Sequence, residues 1–165
     1  MMNVPQPRLA TVADAEAINA IYNYYVRTST ATFQVEDETT EERVEELRTR
    51  PANQPMTVLE VDSEVVGWGA LSPFRSRCAY RDTVELTAYM RHDSHRRGHG
   101  RIIVRDLIER AHSLGYHTIL AASCEESAGM IRLLKSLGWE EAGRLRQVGS
   151  KFERRLDVIY LQLLF

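Results

Sequence analysis

Apolar residues along this chain recur with two periods, and the points where the period changes divide it into elements. PRLATV (7–12) reads as a short strand ending at Thr11. Thr11 with Asp14 three residues on has the form of a capping box, and the helix behind it carries Ile18, Ile21, Tyr22 and Tyr25 on one stripe. TSTATFQ (28–34) is a β-branched loop. Thr39 and Glu42 repeat the capping-box pattern and open a helix that stops before Pro51. MTVLEV (56–61) and VVGWGAL (65–71) flank Asp-Ser-Glu, the spacing of a hairpin. DTVELTAYM (82–90) is a strand rich in β-branched and aromatic residues. From Ile103 the apolar positions 103, 104, 107, 108, 111 and 114 have helical spacing, and Gly115 stands where a C-terminal cap belongs. HTILAASC (117–124) is a buried strand. Ser127 starts a helix with Met130, Ile131, Leu134 and Leu137, ended by Gly138. EAGRLRQV (141–148) and LDVIYLQLLF (156–165) are two further strands. Interleaved strands and helices predict a mixed α/β domain spanning 1–165.

Composition narrows the function classes. A chain of 165 residues fits one core, and a formal charge of −2 argues against a nucleic-acid partner. Met1 to Pro7 has no apolar run of the signal-peptide kind, and no segment approaches the ~20 apolar residues of a membrane span. Cys78 and Cys124 lack metal-type spacing and read as reduced thiols of a cytoplasmic protein. The acidic run 36–46 reads as one solvated helix face.

One stretch carries chemistry. SHRRGHGRIIV (94–104) follows a strand and opens a long helix. Gly98 and Gly100 allow close approach of backbone to a ligand, and the first turn of a helix has unpaired N–H groups at the positive end of its dipole. Arg96, Arg97 and Arg101 add formal charge. The combination suits a diphosphate, although G-x-G before a helix also occurs as a plain tight turn. The dinucleotide-binding pattern is not met and no Walker lysine is present. His92, Asp93, His95 and His99 could instead be read as metal ligands, but no further carboxylate or cysteine partner is placed with them, so no metal is expected.

The order of elements resembles the GNAT acetyltransferase superfamily, in which the pattern Q/R-x-x-G-x-G/A cradles the pyrophosphate of acetyl-CoA. Here it reads His95-Arg96-Arg97-Gly98-His99-Gly100. The resemblance extends over nearly the whole chain to the phosphinothricin and methionine sulfoximine/sulfone N-acetyltransferases. It is carried by AIYNYYV, TATF, PFRSRCAYRDTVE, RRGHGR, IRLLKSLGW and QVGSKFERRLD. It implies a GNAT fold: a mixed, mostly antiparallel central sheet flanked by helices. It also implies acetyl-CoA as cosubstrate, a small amino-acid-like amine as acceptor, and a homodimer.

Residue by residue, Glu85 matches the family's general base. An aliphatic amine is mostly protonated near neutral pH, so a carboxylate acting directly or through water has to remove a proton. On sequence alone Glu85 could instead be a strand residue paired with Arg75, Arg77 or Arg81. Ala88, Tyr89 and Met90 match the stretch that holds the pantetheine arm and thioester oxygen, which requires N–H donors freed from the ladder by a distorted strand. His95 to Arg101 match the cofactor turn. Ser127 stands where the family usually has a cofactor-contacting Asn, and is equally an ordinary N-cap. Arg75, Ser76 and Arg77 match a substrate loop, with Glu85, Leu86 and Thr87 as a second contact. An arginine there would clamp a carboxylate, or be a solvated surface charge.

Three departures stand out. His95 replaces Gln or Arg. Leu134 replaces the His or Tyr near the cofactor sulfur, so no side-chain acid is expected there. Arg155 and Leu156 replace the Trp-His pair of phosphinothricin enzymes. Leu134 keeps open a second reading, a non-catalytic acyl-CoA sensor.

Overall fold

The structure, a computed structural model, describes residues 4–95 and 97–165. Its elements run β1 (Arg8–Leu9), α1 (Ala15–Thr28), α2 (Thr40–Thr49), β2 (Met56–Val61), β3 (Glu64–Pro73), β4 (Thr83–Met90), α3 (His99–Ser113), β5 (Thr118–Cys124), α4 (Ala128–Ser136), β6 (Glu140–Lys151) and β7 (Arg154–Leu164). Seven strands form one mixed sheet in the order β1-β2-β3-β4-β5-β7-β6. Every neighbouring pair is antiparallel except β4 with β5.

Two apolar clusters cover the two faces of the sheet. One joins Leu59, Leu71, Val84, Leu86 and Ile119 to Ile103, Val104 and Leu107 of α3 and Leu134 of α4. The other packs Ile18 and Ile21 of α1 on Met56, Val58 and Trp68, with Leu47 of α2 at its margin. The α3 stripe lies close against β3. A Cβ on Gly69 would stand 2.7 Å from Leu107 Cδ1 and 2.9 Å from the Thr87 carbonyl oxygen, so only glycine lets the helix settle there.

Local signals explain most boundaries. Thr39 and Glu42 exchange capping bonds, Glu42 N to Thr39 Oγ1 at 3.2 Å and Thr39 N to Glu42 Oε2 at 2.8 Å. Asp62 and Ser63 both have positive φ, as does the pair Phe152 and Glu153, giving two tight hairpin turns. Three expectations are corrected. The first strand is only Arg8–Leu9, because Thr11 already belongs to the cap of the short turn Val12–Asp14. The run 36–46 is not one solvated helix face. The helix begins at Thr40, and Arg43 is buried, bonded to Asn19, Glu38 and Glu46 and lying over the rings of Tyr22 and Trp68. The last two strands are longer than the apolar pattern indicates, because β6 is an edge whose residues are mostly exposed. Cys78 is exposed and Cys124 buried, and both are free. Among the described residues no helix is long and apolar enough to cross a membrane.

Candidate active site

The parallel pairing of β4 with β5 holds only from Thr83 with Thr118 to Glu85 with Leu120. Beyond that rung the strands share no ladder, while β4 remains paired with β3 as far as Met90. Leu86 to Met90 and Ala121 to Ser123 therefore line the two sides of an opening wedge. Along the β4 side the backbone polar groups that would have met β5 have no strand partner, which is the condition for a backbone-lined ligand site. Backbone freed by a distortion within β4 was expected at Ala88, Tyr89 and Met90. The β3 register instead runs without a bulge, so Tyr89 stays in the ladder with β3, and the splay leaves without a strand partner the groups of Ala88 and Met90 that point toward β5.

The wedge widens into a cavity of about 820 Å³. Its far wall is α4, with Ser127, Leu133 and Leu134, and its near wall is the end of α1 with Ser29, Thr30 and Ala31. The turn into α3 closes one end. Gly98 has φ +79° and is the N-terminal cap of α3 without any side-chain capping bond. Open space surrounds the position of a Cβ on Gly98. The first N–H groups of α3 thus face the cavity without a side-chain acceptor, beside His95, Gly100 and Arg101. His99 also lines the cavity, and its Nδ1 is buried with no protein partner among the described residues. Arg101 donates to Ser136 Oγ at 2.9 Å, which ties the turn to α4. Arg97 is exposed beside this end, and Arg96 lies outside the described residues. Among the described residues no group of three or more His, Cys, Asp or Glu is placed to hold a metal ion.

Glu85 sits at the apex of the wedge, on the last paired rung. Its side chain is half-buried, and burial alone pushes its carboxyl above the usual carboxylate range. The expected alternative, an ion pair with Arg75, Arg77 or Arg81, is absent among the described residues. Arg75, Ser76 and Arg77 do not join the main cavity. With Tyr80 they line a separate hollow of about 350 Å³ in the β3–β4 connection, where the Arg75 guanidinium lies 5.1 Å from the Phe74 ring centre. Ser127 is the N-cap position of α4, yet its hydroxyl makes no capping bond, so it is left to the cavity. Leu134 is fully buried on the cavity wall and is both core and lining.

Several lining residues were not legible as such. Tyr25 reads from its helical stripe as core, but its hydroxyl reaches Met90 O at 2.5 Å and His95 Nε2 at 2.6 Å. Glu126 accepts from Thr30 Oγ1 at 2.8 Å and pairs with Arg154, which, with Thr30, holds its carboxyl below the usual range. No local pattern marks either contact, because the partners are remote in sequence.

The cleft between the diverging strands offers backbone groups along one side and an uncapped helix N-terminus at one end, which suits an elongated ligand with an anionic end. The family model of the acetyltransferase (GNAT) domain matches residues 8–160, and the chain belongs to that family, whose cosubstrate is acetyl-CoA. It is 35% identical over 158 residues to an L-methionine sulfoximine/L-methionine sulfone acetyltransferase of Pseudomonas aeruginosa, covering 94% of this chain and 92% of that one. It is 33% identical over 155 residues to a phosphinothricin N-acetyltransferase of Streptomyces viridochromogenes, covering 94% and 85%. The structure of a phosphinothricin acetyltransferase from Sinorhizobium meliloti in complex with acetyl-CoA superposes with TM-score 0.94 at 28% identity, covering 99% of this chain and 89% of that one.

Proposed function

We propose that the chain, a single domain over 1–165, transfers the acetyl group of acetyl-CoA to the primary amine of a small amino-acid-like substrate of the phosphinothricin or methionine sulfoximine/sulfone type. The observation that carries this reading is the wedge whose free backbone begins one residue after a carboxylate raised by burial. The names of the Pseudomonas and Streptomyces relatives support the acceptor class.

Acetyl-CoA supplies an activated thioester carbonyl. The N–H groups at Gly98 to Arg101, with Arg97, hold its pyrophosphate, and Arg96 belongs to the same turn in the sequence pattern. Backbone of Ala88, Tyr89 and Met90 holds the arm and the thioester oxygen, and the Ser127 hydroxyl contacts the arm from α4. Glu85 takes the proton of the substrate ammonium, directly or through one water. The freed amine then attacks the carbonyl, the C–N bond forms and the C–S bond breaks. The thiolate takes its proton from water or from the product nitrogen, since Leu134 has none to give. Leu86 and Thr87 border the acceptor, while Arg75, Ser76 and Arg77, which match the family's substrate loop, line the separate hollow and would reach the acceptor carboxylate only if the β3–β4 connection folded over the cavity.

The same reading has the protein act as a homodimer in the cytoplasm. Exposed Leu145, Val148 and Phe152 on and beside the edge strand β6 support an interface there. Light scattering at micromolar concentration tests the dimer, and a monomer rejects it. Leu134 favours one rival reading, an acyl-CoA sensor without turnover. Thiol release from acetyl-CoA with a panel of amino acids and their sulfone and sulfoximine analogues separates the two: turnover on an amine supports the transferase, and tight binding without turnover supports the sensor.

A further inference from the structure

Tyr25 and Lys151 hold no role in the chemistry above, yet both are built into the cavity's frame. The Tyr25 phenol oxygen lies 2.5 Å from the Met90 carbonyl oxygen and 2.6 Å from His95 Nε2. A carbonyl only accepts, and a phenol has one proton. That proton lies on Met90, so the phenol oxygen accepts from an N–H at His95 Nε2. The contact fixes both the tautomer and the orientation of the ring, leaving Nδ1 as the nitrogen that Tyr25 does not engage. Burial pushes the Tyr25 hydroxyl up to about 12, which keeps it protonated across the working range.

The backbone that carries Tyr25 is held from behind. Lys151 is buried at the end of β6, and its Nζ donates to Ser29 O at 2.7 Å, Thr32 O at 2.8 Å and Tyr25 O at 3.3 Å. Three ammonium hydrogens meet three carbonyls, and no carboxylate pairs with Lys151 among the described residues. Tyr25 O and Ser29 O stand at the C-terminal end of α1, where the helix dipole favours a cation. The hairpin comes that close because Gly149 faces the Phe33 ring, which a Cβ there would overlap.

We propose that Tyr25 is a positioning residue for the cofactor turn: its phenol ties His95, the first residue of the turn, to the last carbonyl of β4, and Lys151 fixes the helix end that carries it. This rests on the reading of the cavity as the acetyl-CoA site. An arginine at position 95 would bring its own charge and a longer fork of donors. The shorter imidazole needs an outside partner to be aimed, and Tyr25 is that partner.

The test is a double-substitution cycle on the whole chain, with calorimetric titration of acetyl-CoA and a thermal melt of each variant. Tyr25→Phe removes one hydrogen bond to the turn and one to the end of β4, and is expected to weaken acetyl-CoA binding about tenfold. In a His95→Arg background the same substitution is expected to change the affinity less than about twofold, because the aimed group is gone. Lys151→Met is expected to weaken binding in the same direction as Tyr25→Phe. If Lys151→Met does not fold, the Tyr25 and His95 cycle decides the matter. Equal weakening by Tyr25→Phe in both backgrounds overturns the proposal, as does an unchanged affinity in the single variant. A wild-type chain that binds no acetyl-CoA overturns the reading of the cavity, and this inference with it. A wild type that binds while Tyr25→Phe matches it overturns this inference alone.

Discussion

Glu85 and Leu120 form the last rung of the parallel ladder between β4 and β5, and every strand residue lining the cavity lies beyond that rung. Glu85 thus stands on the rung where the sheet opens, next to the cavity lining but not part of it. Its burial without a counter-charge raises its pKa.

Replacing this carboxylate should remove a proton acceptor and little else. Glu85→Gln is expected to lower kcat/KM by ~10²–10⁴ near neutral pH, the usual contribution of a general base. The loss should shrink at high pH, where free amine is abundant. The base must be ionised to act, so its raised pKa places the acidic limb of the wild-type profile above the ordinary carboxylate range, and the limb should vanish in the variant. Wild-type turnover with an unchanged profile would remove Glu85 from the mechanism.

Gly98 combines a left-handed backbone with open space toward the cavity. Gly98→Val should abolish acetyl-CoA binding in calorimetry, and the positive φ adds a stability cost on the order of 1–2 kcal/mol. Gly98→Asn separates the two effects, because asparagine tolerates this conformation while still carrying a side chain. It should melt near the wild type and bind weakly. An Asn variant with full affinity would place the phosphates elsewhere.

Leu134 is fully enclosed in the core and also borders the cavity. Leu134→Ala is expected to cost about 2–5 kcal/mol in denaturant unfolding, as buried leucine truncations do. Leu134→Tyr restores a phenol on that wall and should raise kcat while leaving the Kd of acetyl-CoA unchanged. No rise in kcat means that thiolate departure does not limit turnover.

Asp14 accepts from Arg8 at 2.9 Å through each of its oxygens and from Thr11 N at 2.8 Å. The Arg8 guanidinium, with the Thr11 amide, holds its carboxyl below the usual range. A depressed folded-state pKa means that the unfolded chain binds the proton more readily. The stabilisation is therefore complete above the unfolded value of 3.8 and disappears as pH falls through the folded one. Asp14→Asn should cost about 1–2 kcal/mol near neutral pH and nothing in strong acid. Thermal melts across the acid range check this, and a constant difference at every pH would contradict it.

What could be read in advance follows the range of each interaction. The cap of α2, the Asp62–Ser63 turn and the glycine turn at 98 depend on neighbours within a few residues, and the sequence pattern places them correctly. The acetyltransferase family was also legible, because its motifs are local strings. The splay was not, since the point where β4 and β5 part depends on the register of strands separated by α3. Arg43 looks like a surface charge because its aromatic roof, Tyr22 and Trp68, comes from other elements. Tyr25 and Lys151 follow the same rule, being 126 positions apart where they meet.

Strand β7 lies between β5 and β6, though it follows both in the chain. During synthesis β5 emerges with an open edge that stays unsatisfied until 154–164 arrive, and Lys151 reaches Ser29 only after 122 positions of chain. Such remote pairing makes for slow closure, and an unpaired apolar edge in the interval is exposed to other nascent chains. The wedge between β4 and β5 therefore gains its complete frame late in folding. Premature termination upstream of Lys151 should yield not a weakened enzyme but an aggregation-prone fragment with no binding cleft at all.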